Sequence, residues 1–412
     1  MSHALPEIGR PWAELRDEMQ AMRGHDLDWR HGRHGAYVWY ANDDLEEVLR
    51  EAFGMFMVEN GLGIRVFPSI NRMESEVLGM VSGLLDGDEQ TAGIFTSGGT
   101  ESIFLAISAM REWARATKPG IVRPTIVAPH SAHPALNKAA HYLGLDVVRV
   151  PVGADHRADL TELADAITPD TIGLYVSAPT YSLGLVDPIA EAAALAEGRG
   201  LWLHVDACVG GILGGFVRDL GHDVPDFGFA HAGVSSISAD LHKSGYAAKP
   251  ASTVTFRSKE LREFARYKFT DWPSGMYSSY TFTGSRPGGA IAAAWAAMQY
   301  LGRSGYLDLA ASAMRAKQAM ADGLLQIPGV TINGHPQLWA FGWSIEGVDI
   351  GKLAGALYAR GWVAGTTTHP PGIHVMATPV HEPFVGEYVE AVKAAIVEVG
   401  GGAVEARSAA YN

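Results

Sequence analysis

The chain reads as an α/β protein: a large sheet of mostly parallel strands, followed by a smaller α+β unit. Between Gly93 and about Arg257, apolar runs of strand length alternate with segments of helical apolar spacing, the pattern of repeated βα units. After Gly288 the order changes to a long Ala-rich helix, two strand-like runs, a helix, a strand and a last helix reaching about Val399. A length of 412 residues with 47% hydrophobic and 19% charged content suffices for more than one buried core.

Taken in order, a polar, His-bearing start gives way to "DLEEVLREAFGMFMVEN", whose spacing predicts a helix over Asp44 to Asn60, stopped by the Gly-rich turn "GLGIRVFPS". "NRMESEVLGMVSGLL" follows as a second amphipathic helix. The strands of the large sheet are "TIVAP" (Thr125 to Pro129), "DVVRVPV" (Asp146 to Val152), "TIGLYVSA" (Thr171 to Ala178), "LWLHVDA" (Leu201 to Ala207), "VSSISAD" (Val234 to Asp240) and "STVTFR" (Ser252 to Arg257). Helices "GTESIFLAISAMREWAR", "AHPALNKAAHYLG", "DLTELADAI" and "IAEAAALAEGRG" lie between strands. In such sheets ligands bind at the carboxyl ends of the strands, so the chemistry belongs at strand-to-loop junctions.

A formal charge of -13 disfavours nucleic acid and anionic membrane as partners, since both reward a basic surface. A small molecule fits better. The single cysteine, Cys208, excludes an intramolecular disulfide framework and a Cys-based zinc cluster, and agrees with a reducing compartment. The N-terminal residues lack the apolar core of a signal peptide, and the most apolar span, Ala290 to Gly302, is too short to cross a bilayer; the expected location is the cytoplasm. His25, His31 and His34 in "HDLDWRHGRHG" complete no recognisable metal site and read as a polar loop near the substrate entrance; no metal is expected.

Three segments can carry chemistry. "IFTSGGTES" takes an apolar run through Ser97, Gly98, Gly99 and Thr100 into a helix, placing free backbone N–H groups where a phosphate would sit, although a plain capped helix has the same look. "LWLHVDACVGG" ends a buried strand on Asp206; such an acid needs a partner, and a protonated ring nitrogen or a local turn would serve. "SADLHKSGYAAK" sets His242 beside Lys243 at the end of the next strand, where burial favours the neutral amine that forms a Schiff base. A surface lysine is the plain alternative. Phosphate cradle, strand-end acid and amine-bearing lysine, in that order on one sheet, are the three attachments of pyridoxal 5'-phosphate (PLP).

"TSGGTESI", "HVDACVGG", "SISADLHKSGYAAK" and "DWPSGMYSSYTFTGSRPGG" resemble the PLP-dependent decarboxylase group of the type I, aspartate aminotransferase-like fold, and most closely its sphingosine-1-phosphate lyase branch, from about Gly35 to Val399. The resemblance implies that Lys243 carries the cofactor, Asp206 faces its pyridine nitrogen and His133 stacks on its ring. It implies a phosphate site from Gly99, Thr100 and His242, with Gly284 and Ser285 reaching over from a second subunit of a homodimer with shared active sites. Residues 1–55 would then serve the dimer and the substrate entrance, 56–290 form the large PLP-binding domain, and 291–412 the small C-terminal domain.

The same resemblance makes Tyr181 the acid/base near the bond being broken and Lys249 a ligand for a substrate phosphate, with Tyr37, Asn60 and Arg65 also at the substrate. "NGLGIR" stands where the lyases carry an "NPLHPD"-like stretch, with Gly63 in place of a phosphate-binding histidine, and leans toward archaeal tyrosine decarboxylases. The expected reaction is retro-aldol cleavage of a β-hydroxy amine to an aldehyde and a smaller amine. Decarboxylation of an L-amino acid is the alternative, and a non-catalytic PLP-fold protein the third reading.

Overall fold

The computed structural model describes residues 4–62 and 65–401; Gly63 lies outside the described residues. The N-terminal segment holds helix α1 (Trp12–Met22), two single 3-10 turns, and α2 (Asp43–Met55), whose first turn is capped by the Asn42 side chain accepting from Leu45 N at 2.8 Å. Helix α2 is shorter than its apolar spacing predicts. It ends at Gly54-Met55, and Phe56 to Val58 continue as an irregular, largely exposed turn. Helix α3 (Pro68–Leu84) starts on a proline, which needs no N–H in a first turn.

The large sheet follows: β1 (Ala92–Thr96), α4 (Gly99–Thr117), β2 (Thr125–Pro129), α5 (Ala135–Leu143), β3 (Asp146–Val150), α6 (Leu160–Asp165), β4 (Thr171–Ser177), α7 (Ile189–Arg199), β5 (Trp202–Asp206), α8 (Gly214–Asp219), β6 (Val234–Ala239) and β7 (Ser252–Phe256). The strand order is β1-β7-β6-β5-β4-β2-β3; β7 runs against both its neighbours and the other strands run one way. Strands β4 and β5 are buried along their whole length, as a sheet covered by helices on both faces requires.

Helix α9 (Lys259–Glu263) leads to a hairpin of β8 (Tyr267–Phe269) and β9 (Tyr277–Ser279), then to α10 (Gly288–Leu325). The Ala-rich segment is thus the first part of a much longer helix. It breaks at Gly302 (φ 54°, ψ -173°), a backbone conformation that costs glycine little. The C-terminal unit is β10 (Val330–Ile332), β11 (Ala340–Ile345), α11 (Ile350–Ala359), β12 (Gly365–Thr368), β13 (Pro371–Met376) and α12 (Val385–Gly400), with sheet order β10-β11-β13-β12.

The histidines of the N-terminal segment do not form one polar loop. His34 is buried, bridging to Val363 and lying edge-on to His381 with ring centroids 4.6 Å apart, while His31 stays exposed and bonded to Asp28. The cause is backbone pairing: Gly35 N donates to Val363 O and Met376 N to Gly35 O, so this stretch joins the small sheet.

Candidate active site

Strands β1, β4, β5 and β6 all end on one cleft of about 340 Å³, a size suited to a small molecule. It gathers Ser97, Gly98, Gly99, Thr100, His133, Tyr181, Asp206, His242 and Lys243, which lie in five separate stretches of sequence.

Strand β1 enters α4 through Ser97 and Gly98, and no side chain caps the helix. The Glu101 carboxylate instead reaches back to Ser97 N (2.7 Å) and across to Phe282 N (2.9 Å). A Cβ at Gly99 would stand 2.7 Å from Cys208 Sγ and 2.9 Å from Asp240 Oδ2, so only glycine lets the helix start this close to β5 and β6. The first turn of α4 therefore presents backbone N–H groups with no intrahelical partner at the cleft wall.

Asp206 closes β5. Tyr175 donates to its Oδ2 at 2.6 Å and Cys208 N to its Oδ1 at 3.1 Å. Burial opposes its charge, but His133 and these hydrogen bonds outweigh burial, and the carboxyl is held below its usual range. Burial pushes the Tyr175 phenol and the Cys208 thiol up, so both keep their protons beside the carboxylate. Behind them His204 sits between Ser236 Oγ (2.9 Å) and Ser238 Oγ (3.1 Å), its imidazole pushed down to about 4 by burial.

His133 and His242 are set alike. Each uses Nδ1 to accept a backbone N–H, from Ala135 (3.2 Å) and Ala251 (3.0 Å), and burial lowers the proton affinity of both. Both are neutral with the proton on Nε2. The segment carrying His133 is tied down by Arg149, which donates to the carbonyls of His130 (3.0 Å) and Ala132 (2.7 Å).

Lys243 follows β6, and its Nζ lies 2.9 Å from Asp240 Oδ2. Burial alone would favour the neutral amine, as expected from the sequence, but the Asp240 charge reverses this and keeps the free lysine protonated well above its ordinary range. Asp240 is itself fully buried and accepts from Ser252 Oγ, which also bonds Ser102 Oγ at 2.8 Å.

Tyr181 stands where the two sheets meet. Its turn is closed by Thr180 N to Leu185 O (2.8 Å) and gripped by the small sheet: Gly184 abuts Ala340, and Val186 N donates to Gln337 Oε1 at 3.0 Å. The Tyr181 ring lies 4.7 Å from that of His374 on β13 and 5.9 Å from that of His133.

The remaining candidates lie off the cleft lining. Asn60 donates to Ser285 Oγ (3.1 Å) and accepts from Arg286 N (3.1 Å), stapling its turn to the Gly284-Ser285 segment of the same chain. Tyr37 and Arg65 are exposed, and Lys249 is exposed but close enough to Lys243 and Asp240 to interact with both charges. Sequence reasoning missed Asp240, Tyr175, Arg149 and His374. Asp240 had one signal, its place three residues before the lysine; the others depend on which strands become neighbours.

The residues present fit PLP. A lysine amine, a buried carboxylate kept charged and a glycine-limited helix start surround one cleft, and an added Cβ at Gly99 would close the cradle. Fold and site together define a PLP enzyme of type I fold. A profile of the pyridoxal-dependent decarboxylase conserved domain matches residues 2–333. The sphingosine-1-phosphate lyase of Arabidopsis thaliana is 37% identical over 394 residues, covering 94% of this chain and 72% of the plant protein. The solved structure of the Burkholderia pseudomallei K96243 sphingosine-1-phosphate lyase superposes with a TM-score of 0.93 at 35% identity, over 97% of this chain and 93% of the other. Glutamate decarboxylase of Lactobacillus brevis, 18% identical with a TM-score of 0.84 over 98% and 96% of the two chains, shares the fold. The chain belongs to the pyridoxal-dependent decarboxylase family and is a PLP-dependent lyase.

Proposed function

We propose that the protein cleaves a phosphorylated β-hydroxy amine of the sphingosine-1-phosphate type to an aldehyde and a smaller phosphorylated amine. The observation that carries this is the charge of the cleft. Among the described residues lining it, Lys243 is the sole cation, facing the carboxylates of Glu101, Asp206 and Asp240. The reacting end of a β-hydroxy amine, a hydroxyl and an amine, needs no further cation at this lining, and its phosphate would reach Lys249 outside it.

Bound PLP supplies an electron sink for a bond broken at the carbon bearing the amine. The chain's residues do the rest. Lys243 holds the cofactor, and Asp206, kept ionised by Tyr175 and Cys208 N, offers its charge to the pyridine nitrogen. His133 covers the ring, and Ser97, Gly98, Gly99, Thr100 and the Nε2–H of His242 serve the phosphate. Tyr181 orients the substrate hydroxyl and takes its proton as the carbon–carbon bond breaks. Lys249, with Tyr37 and Arg65 at the entrance, binds the substrate phosphate; Asn60 acts through its staple to Ser285.

The reading includes a homodimer with shared sites. Helix α1 buries none of its residues within one chain, though Trp12, Leu15, Met19 and Met22 share a face. Phe282, 71% exposed, and Tyr267, Phe269 and Trp272 of the β8–β9 hairpin are further exposed aromatic side chains in the segment that runs up to Gly284 and Ser285. A partner chain would cover both. Among the described residues no helix is long and apolar enough to cross a membrane, and the lone cysteine supports a reducing location, the cytoplasm. The test is product analysis of the PLP-loaded protein with phosphorylated β-hydroxy amines and with amino acids, recording aldehyde and carbon dioxide together. Aldehyde alone is expected; carbon dioxide alone would overturn the reading.

A further inference from the structure

We propose that His374 is a positioning residue for Tyr181: its imidazole, set between two glycines of the small sheet, holds the Tyr181 ring in place for proton transfer. Pairing across the sheet puts Gly342 of β11 and Gly365 of β12 directly opposite His374 of β13, so the three form a row on one face with His374 as its single side chain. That face looks toward the large sheet. Ala340 and Met376, two residues along from Gly342 and His374, pack in the large core, whereas Phe341, Trp343, Ile373 and Val375, at the alternate positions, fill the core of the small unit.

The segment carrying Tyr181 lies on this row. A Cβ at Gly342 would stand 2.5 Å from Leu183 Cδ2 and 3.2 Å from Ser182 O, so the bare backbone there lets the turn come close. A Cβ at Gly365 would overlap the His374 imidazole, which therefore rests against bare backbone as well. The same imidazole meets the Tyr181 ring at 4.7 Å between centroids with the planes at 60°, an edge-on contact that sets a ring's orientation as well as its position. His374 is 4% exposed, and its Nδ1 has no hydrogen-bond partner among the described residues, which costs stability that a hydrocarbon side chain would keep. A histidine here serves the stability of the small unit less well than a leucine would, which points to its contact with Tyr181. Tyr181 in turn lies 5.9 Å from His133, so the three rings run from the small sheet to the cleft wall.

This role rests on the reading of Tyr181 as the group that takes the substrate's proton. Two variants test it from either side: His374→Leu removes the ring, and Gly365→Ala displaces it. In cofactor-free protein, nitration of Tyr181 by tetranitromethane, read by peptide mass spectrometry against the 69% exposed Tyr142, should speed up in both variants. In the PLP-loaded proteins kcat should fall at least about tenfold with KM and cofactor absorbance kept, since a small misplacement of a reacting group costs up to about a hundredfold. His374→Leu should lose no Tm. In a Tyr181→Phe background neither substitution should lower the residual kcat further. Unchanged nitration in both variants, a fall in Tm with kcat kept, or an equal loss of kcat with and without the Tyr181 hydroxyl would overturn the positioning role. Full kcat in Tyr181→Phe would remove Tyr181 from the chemistry and this role with it, and is told apart by nitration that still rises.

Discussion

Tyr175 and Cys208 N each give Asp206 a hydrogen bond, and this is what lets a fully buried acid remain an anion. Hydrogen bonds to charged groups contribute about 1.5–3 kcal/mol, so Tyr175→Phe should weaken PLP binding by at least about tenfold, measured by equilibrium titration of cofactor absorbance. Lys243→Ala should abolish the absorbance band that a lysine-bound cofactor gives; an unchanged band would remove Lys243 from the site. At the substrate end, Lys249→Ala should raise KM for phosphorylated substrates far more than for their unphosphorylated forms, and equal effects would exclude it from phosphate recognition. Lys243 and Asp206 stood out in the sequence because each stands in a short motif whose residue type matches an attachment of the cofactor, whereas His133 was named only through the family resemblance; the structure brings all three to one cleft. Tyr175 and Asp240 were not: their roles arise from β4 lying beside β5, and from a lysine folding back on the residue three before it.

Among the elements, α4 is the most constrained at its start. Gly99→Ala would push a methyl group against Cys208 Sγ and the Asp240 carboxylate. Overpacking of this kind costs about 1–3 kcal/mol, so Tm should fall and PLP affinity drop; retention of both would mean that the helix can shift. The turn carrying Tyr181 gives a complementary test. Gly184 has φ of +71°, and a Cβ there would overlap Ala340 O. Gly184→Ala should therefore unseat Tyr181 from the small sheet, lowering kcat by at least tenfold while cofactor absorbance persists. The strands from Thr125 to Arg257 were readable nearly to the residue, because short apolar runs bounded by turn residues admit few other structures. Helix α1 was not, its apolar residues finding no core within one chain, and the reversal of β7 leaves no mark on a strand's own composition.

For the molecule as a whole, acid stability follows from buried imidazoles. Burial lowers His34 to about 3, and His204 and His374 to about 4, against about 6.5 in an unfolded chain. Between pH 6.5 and 4 the unfolded state thus takes up protons that the folded state refuses, and stability falls with falling pH by about 1.4 kcal/mol per unit for each group. Asp187, raised to about 6 by burial, acts oppositely, since the folded state holds its proton between about pH 4 and 6. The imidazoles outnumber it. Tm should drop as pH falls below 6.5, and less steeply in His204→Gln; identical slopes would exclude His204.

Strand β1 leads into the proposed phosphate cradle, yet its single partner in the sheet is β7, about 160 residues further along the chain, and β7 also pairs with β6, the strand that precedes Lys243. A chain emerging from the ribosome must therefore keep its first strand waiting until Phe256 has been made. The two walls of the proposed cofactor cleft are therefore brought together by one late strand insertion.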